Sequence, residues 1–168
     1  MSPEDHVGAL IDQLRFPADP EMSDTPRRVV EWLSTFVPGE RPTVSRCASA
    51  STHPVVMRDI PFHSLCAHHL LPFFGTATVA YRPAGTICGL GSLSRAVAHF
   101  ARQPQVQERL GEQIAHHLFE ALQPSSLVVR LEARQLCVEL TQGIQPTIVS
   151  LATLGDDDPV LLSQLDRR

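Results

Sequence analysis

The sequence predicts an α+β domain, on three observations. Two alternating stretches rich in β-branched and small residues, 55–62 and 75–82, precede two helical patterns, 92–100 and 104–122, and alternating segments return at 127–133, 136–140 and 146–151. With 5% aromatic residues and 14 prolines, the core must be built of Leu, Val, Ile and Ala between many chain breaks, which suits mixed helix and sheet. At 168 residues the chain is the size of one domain and long enough to bury that core.

In chain order, Val7, Leu10, Ile11 and Leu14 recur at helical spacing until Phe16-Pro17-Ala18-Asp19-Pro20 stops the helix. Ser23-Asp24-Thr25-Pro26 offers capping side chains and a first-turn proline for a second helix through Val29, Val30, Trp32, Leu33 and Phe36, ended by Pro38-Gly39. Residues 39–53 are polar and read as a loop. Val55–Phe62 reads as a strand leading into Cys66, and Gly75–Arg82 as the next. A turn at Arg82–Gly85 leads to a helix opening near Ser92; Pro104 is expected to start another, with the stripe Val106, Leu110, Ile114, Leu118, Leu122. Leu127–Ala133, Leu136–Leu140 and Pro146–Leu151 are expected as strands. The expected organisation is a helical region 1–40, a catalytic domain 41–155 and an acidic peripheral tail 156–168.

A net charge of −4 without a basic run gives a nucleic-acid partner no electrostatic footprint, so the expected partner is small. The sequence has no stretch of membrane-span length and no basic, apolar leader at Met1–Asp5, so a cytoplasmic protein is expected. There the four cysteines stay reduced thiols.

Chemistry concentrates in Cys66-Ala67-His68-His69-Leu70-Leu71-Pro72-Phe73 and in Cys137 far downstream. A cysteine and a histidine three positions apart plus a second cysteine are three ligands for Zn²⁺, leaving the fourth tetrahedral place to water, the pattern of a hydrolytic site. By spacing alone, a packed cysteine beside ordinary histidines is an equal reading.

Cys66-x-His68-His69-Leu70-Leu71-Pro72-Phe73-Phe74-Gly75, Gly89-Leu90, Arg95, Pro104-Gln105-Val106-Gln107-Glu108-Arg109-Leu110 and the segment around Cys137 resemble GTP cyclohydrolase I in order and spacing, from about Thr25 to about Ser150. The resemblance implies the tunnelling fold, an antiparallel sheet with two helices on one face behind an N-terminal helical extension. It also implies a homo-oligomer, in the family a decamer with sites between subunits. It further implies zinc on Cys66, His69 and Cys137, with His68 as the acid or base at the purine imidazole. Gln107 and Glu108 match the residues that hold the guanine edge. A carboxylate there accepts from the ring N–H and exocyclic amino group, a pattern adenine lacks. Arg28 and Arg95 match phosphate contacts. Without the resemblance, Glu108 reads as an acidic residue favoured by a helix N-terminus, and the arginines as surface groups.

Departures cluster. Where the family has Gly-Leu-Ser-Lys the chain has Gly89-Leu90-Gly91-Ser92, Ala67 replaces a glutamate, Gln135 stands at a histidine position before Cys137, and Thr141-Gln142-Gly143 lacks the family arginine. Base recognition and ring opening are kept, while ribose rearrangement and triphosphate contacts are altered; each lost charge-assisted contact is worth about 1.5–3 kcal/mol. The expectation is therefore a zinc hydrolase that opens the imidazole ring of a guanine-like purine at C8. Its substrate would carry fewer phosphates than GTP, and pterin formation would not be completed. The alternatives are the ordinary family activity, with His63 or Gln135 filling in, and a silent ring-forming purine- or pterin-binding subunit. The nitrile reductase of the same fold is weaker, since it relies on a cysteine nucleophile and nicotinamide.

Overall fold

The computed structural model describes residues 1–165, which fall into two compact units, Met1–Val37 and the chain from Pro38 onward. In the first, α1 (Pro3–Leu14) opens with Ser2 accepting from the Asp5 amide while Asp5 accepts in return from the Ser2 backbone N–H. α2 (Thr25–Ser34) follows a 3₁₀ turn, carries Pro26 in its first turn and packs on α1.

The second unit is a five-stranded sheet in the order β5-β2-β3-β6-β7, with β2 (Val55–Cys66), β3 (Pro72–Arg82), β6 (Ser126–Gln135) and β7 (Ile148–Gly155) antiparallel. β5 (Pro104–Gln105) adds a short parallel edge beside the end of β2. A separate two-stranded ribbon pairs β1 (Arg46–Ala48) with β4 (Thr86–Cys88). α3 (Leu90–Ala101) lies on β2, α4 (Gln107–Leu122) lies on β6 and β7, and the two helices pack side by side. This is the expected α+β arrangement, helices on one face of a sheet.

Alternation sets that face. Phe73, Ala77, Val79 and Tyr81 of β3 and Leu127, Val129, Leu131 and Ala133 of β6 join Leu93, Val97, Leu110, Ile114 and Leu118 of the helices in one buried cluster. β2 obeys two phases: Val55 and Met57 face the cluster before a β-bulge, Ile60, Phe62 and Cys66 after it, and Asp59 at the bulge has φ +55°. At Gly75 a Cβ would come within 1.9 Å of the Glu132 carbonyl, so β3 and β6 approach there only because the side chain is missing.

The opposite face carries α6 (Pro159–Ser163), whose Leu161 is fully buried against Ala80 and Val128. Asp158 accepts from the Leu161 amide and from Arg82 (Nε to Oδ2, 2.6 Å; Nη2 to Oδ1, 3.2 Å), and the Arg82 guanidinium holds its carboxyl below the usual range. The segment expected as a peripheral acidic tail thus packs through Leu161 where it is described; its last three positions, 166–168, lie outside the described residues.

Three local expectations are corrected. Leu136–Leu140 is not a strand but the body of α5 (Leu136–Gln142), closed by Gly143 with φ +67°. Five residues, Leu-Cys-Val-Glu-Leu, fit one helical turn as well as an alternating strand, so periodicity could not decide. Pro104 does not start a helix; it pairs in β5, and α4 begins at Gln107. The loop 39–53 contains β1. Among the described residues no helix is long and apolar enough to cross a membrane.

Candidate metal centre

Cys66 ends β2, and the hairpin to β3 is closed by backbone groups. The Cys66 N–H donates to Leu71 O (2.8 Å), and Cys66 O accepts from the amides of Leu70 (2.8 Å) and His69 (3.3 Å). Leu70 takes the left-handed conformation, φ +54°, which a side chain with a Cβ tolerates at a cost and which lets the tight turn close. On the outer side the Ala67 N–H donates to Gln105 O (2.9 Å), fastening the hairpin to β5. Gln105, almost wholly buried, is itself fixed: its Nε2 donates to Phe100 O and to Gln113 Oε1, and its Oε1 accepts from Arg109 Nε.

This turn leaves His68 and His69 exposed, each with Nδ1 3.7 Å from the Cys66 sulfur. Cys137, in the first turn of α5, arrives from the end of β6. Ligand atoms of Cys66, His69 and Cys137 all lie within 4.8 Å of one another. Tetrahedral zinc with S and N ligands at about 2.0–2.3 Å holds its donors roughly 3.3–3.8 Å apart, inside that bound. The chemistry agrees as well. Burial, and then the neighbouring Cys66 sulfur, push the Cys137 thiol up, so the pocket disfavours thiolate until a cation is present to reverse the balance. The three residues therefore fit zinc.

The corner that delivers Cys137 is tied by side chains. On its inner side the Gln135 Nε2 donates to Gln107 Oε1 (2.8 Å), while Gln107 Nε2 donates to the carbonyls of Leu131 (3.3 Å) and Ile148 (3.0 Å). Gln107 is 2% exposed and both of its amide hydrogens are engaged. The Gln135 Oε1 lies 3.8 Å from the Cys137 sulfur. On the other side Arg134 forms a two-pronged bond with Glu139 (Nε to Oε1, 2.8 Å; Nη2 to Oε2, 2.6 Å), and its guanidinium lies 5.7 Å from the Phe74 ring centre. The Thr141 hydroxyl donates to Cys137 O (2.5 Å).

Glu108 is exposed in the first turn of α4, beside the buried Gln107. Arg95 turns back along α3: its Nη2 donates to Ser92 Oγ (2.9 Å), which also accepts from the Ser45 amide (3.1 Å) and meets Ser45 Oγ at 2.9 Å. Ser45 crowds this helix start so closely that a Cβ on Gly89 would lie 2.5 Å from its hydroxyl. Arg28 belongs to the first unit, where its Nε is 3.4 Å from Asp24 Oδ2. The structure thus brings together Cys66, His68, His69 and Cys137, and links Gln107 to Gln135. Sequence reasoning passed over Ser45, Arg134 and Glu139. The last two are partners only if residue 136 begins a helix, and Ser45 sat in a polar stretch without a motif.

Residues 4–156 match the family model described as GTP cyclohydrolase I. The GTP cyclohydrolase 1 of Streptococcus suis is 39% identical over 152 residues, 84% of this chain and 81% of that protein. That of Coxiella burnetii is 38% identical over 166 residues, 92% and 90% of the two chains. Among solved structures, the archaeosine synthase QueF-Like in the apo form aligns over 71% of this chain and 100% of its own at 15% identity, TM-score 0.49, too remote a likeness to carry an argument. Matched over nearly its whole length, with the Cys-His-Cys group assembled, this chain belongs to the GTP cyclohydrolase I family.

Proposed function

We propose that this protein is a zinc-dependent hydrolase that opens the imidazole ring of a guanine-like purine at C8, on a substrate with fewer phosphates than GTP and without completing a pterin. The observation that carries the reading is the convergence of Cys66, His69 and Cys137. These residues would hold the metal. Bound zinc supplies Lewis acidity, which brings water within reach of deprotonation near neutral pH. His68, whose Nδ1 lies 3.7 Å from the Cys66 sulfur, would move a proton to the ring nitrogen that leaves C8. Addition of one water across the C8 amidine gives a formamidopyrimidine; a second water removes the carbon as formate.

Base recognition falls to Glu108. Gln107, the other sequence candidate, has its amide hydrogens on Leu131 O and Ile148 O and serves to seat the helix that presents Glu108. The smaller phosphate load is supported at the start of α3. Ser92 replaces a family lysine, and its hydroxyl joins Ser45 and Arg95 in one knot, so Arg95 would have to leave Ser92 to meet a phosphate. Arg28 would be a second phosphate contact. Gln135 occupies a position where a proton-shuttling side chain is needed for ribose rearrangement, and an amide does not shuttle protons. We place the enzyme in the cytoplasm as a homo-oligomer, from its family.

The ordinary activity remains the second reading, favoured by relatives named GTP cyclohydrolase 1 at 38–39% identity. Mass spectrometry of the products after zinc-loaded protein meets GTP, GMP, guanosine, guanine and 8-oxoguanine separately decides. A ring-opened pyrimidine from an under-phosphorylated substrate is the expected result; dihydroneopterin triphosphate from GTP restores the ordinary activity. No turnover of any substrate leaves a silent binding subunit.

A further inference from the structure

We propose that Glu139, gripped by Arg134, is a positioning residue for Cys137: the pair sets where the third metal ligand stands and so how tightly the centre holds zinc. The inference rests on the zinc reading above and concerns residues that reading does not use.

Cys137 is delivered by a corner, the junction of β6 with α5, and a corner has no ladder of its own to fix its angle. β6 ends at Gln135, α5 starts at Leu136, and the thiol is on the second helical residue. Arg134 is the penultimate residue of the strand and Glu139 lies within the helix, so their bond spans the junction with Cys137 between its ends. A single contact would leave the helix free to swivel about it. Two parallel bonds, 2.8 and 2.6 Å, fix the guanidinium and carboxylate in one plane and remove that freedom.

Three further observations bear on a positioning role. The Glu139 side chain is only 7% exposed although Arg134 is 47% exposed, so the carboxylate is buried against the corner while the arginine covers it. Arg134 is steadied from β3 by Phe74, and at Phe74 and Arg134 the two strands are directly paired. The side-chain tie on the cysteine's own backbone, Thr141 Oγ1 to Cys137 O, lies inside α5 and moves with the helix. The Gln135–Gln107 bond holds the strand side. The Gln135 Oε1 contact with the Cys137 sulfur (3.8 Å) stops at the cysteine, whereas the Arg134–Glu139 fork reaches past it from strand to helix. Outer partners of this kind typically change metal affinity by about 10–100-fold when removed.

The test measures zinc affinity of the full-length protein by competition with a chromogenic chelator, together with the visible spectrum of the Co²⁺-substituted protein and the melting temperature without metal. Glu139→Gln keeps the shape and one acceptor but loses the fork, and is expected to weaken zinc about tenfold and to alter the cobalt bands. Arg134→Lys keeps the charge with a single-point contact and shifts both readouts in the same direction by less. Asp158→Asn is the control: it breaks the equally forked Arg82–Asp158 pair on the opposite face of the sheet. It is expected to lower the metal-free melting temperature while leaving zinc affinity within twofold. Should Glu139→Gln and Arg134→Lys both bind zinc within twofold of wild type with unchanged cobalt spectra, or should Asp158→Asn weaken zinc as much as they do, the positioning role is overturned. Wild-type protein that takes up no zinc overturns the metal reading and this inference with it, whereas wild-type binding with unaffected variants overturns this inference alone.

Discussion

The two thiols of the centre are held by opposite means. Cys66 stands in a hairpin closed by main-chain bonds to Leu71, Leu70, His69 and Gln105, none of which depends on which side chains those residues carry. Cys137 stands at a corner whose bracing comes from side chains: Arg134 with Glu139, Gln135 with Gln107, Thr141 with the cysteine carbonyl. A ligand fixed by the main chain tolerates substitution around it, and one fixed by side chains can be moved by changing a neighbour. Drift in this family member at Gln135 and at 141–143 lies at the second kind of position.

The harshest way to break the comparison is to remove a thiol. Cys66→Ser and Cys137→Ser are each expected to lower zinc affinity by roughly 100-fold or more, exceeding any neighbouring change; equilibrium dialysis with metal analysis measures it. Equal losses mean the two ligands matter alike, however differently they are held.

Next comes the brace. Gln107→Ala leaves the carbonyls of Leu131 and Ile148 and the Gln135 amide without their partner in a buried place, an expected loss of about 2–3 kcal/mol in urea unfolding. A loss under about 0.5 kcal/mol, the range of an ordinary surface change, would mean the glutamine is not the tie the geometry makes it.

Acid sharpens the contrast without mutation. Asp158 titrates below an unfolded carboxylate because Arg82 and the Leu161 amide stabilise its charge. Its contribution is therefore complete above about pH 4 and is lost as pH falls through its lower folded value. Hydrogen exchange between pH 6 and 3 is expected to show the Leu161 amide of α6 losing protection before the Leu70 amide of the hairpin. Simultaneous loss would erase the distinction between side-chain and main-chain fastening.

The smallest effect is expected at Leu70. Glycine relieves the left-handed backbone but adds freedom to the unfolded chain, so Leu70→Gly should change stability by no more than about 1 kcal/mol. Zinc affinity, read by the same chelator competition, is expected to stay within twofold, since the hairpin bonds are all main-chain.

The same contrast explains what the sequence disclosed. The cluster of Cys66, His68 and His69 was legible because a hairpin held by its backbone keeps these side chains at fixed spacing, a spacing that can be read directly. The sheet and the paired helices were legible from alternation and from the four-residue stripe of α4. Cys137 was legible as a candidate ligand but not its setting, because Leu136–Leu140 satisfies both periods and the strand-to-helix corner vanished into an assumed strand. With the corner went Arg134 and Glu139, which are five residues apart and face each other only across it. Pro104 misled in the other direction: a proline before a helical stripe looks like a first turn, but its missing N–H also suits an edge strand of two residues.

One consequence of the bulge in β2 reaches Cys66. Strand alternation works like a two-letter frame, and the extra residue between Met57 and Ile60 is a frameshift within it. Carried on without the bulge, the phase that turns Val55 and Met57 inward would also turn residues 59, 61, 63 and 65 inward, and Cys66 would look out from the other side of the sheet. Which face of the sheet presents Cys66 is thus decided seven residues upstream, near Asp59. Deleting that one residue would make the strand regular and leave Cys66 on the cluster side, whereas one further residue inserted after Ile60 without a bulge would turn it to the other face with every letter of the Cys-x-x-His motif intact.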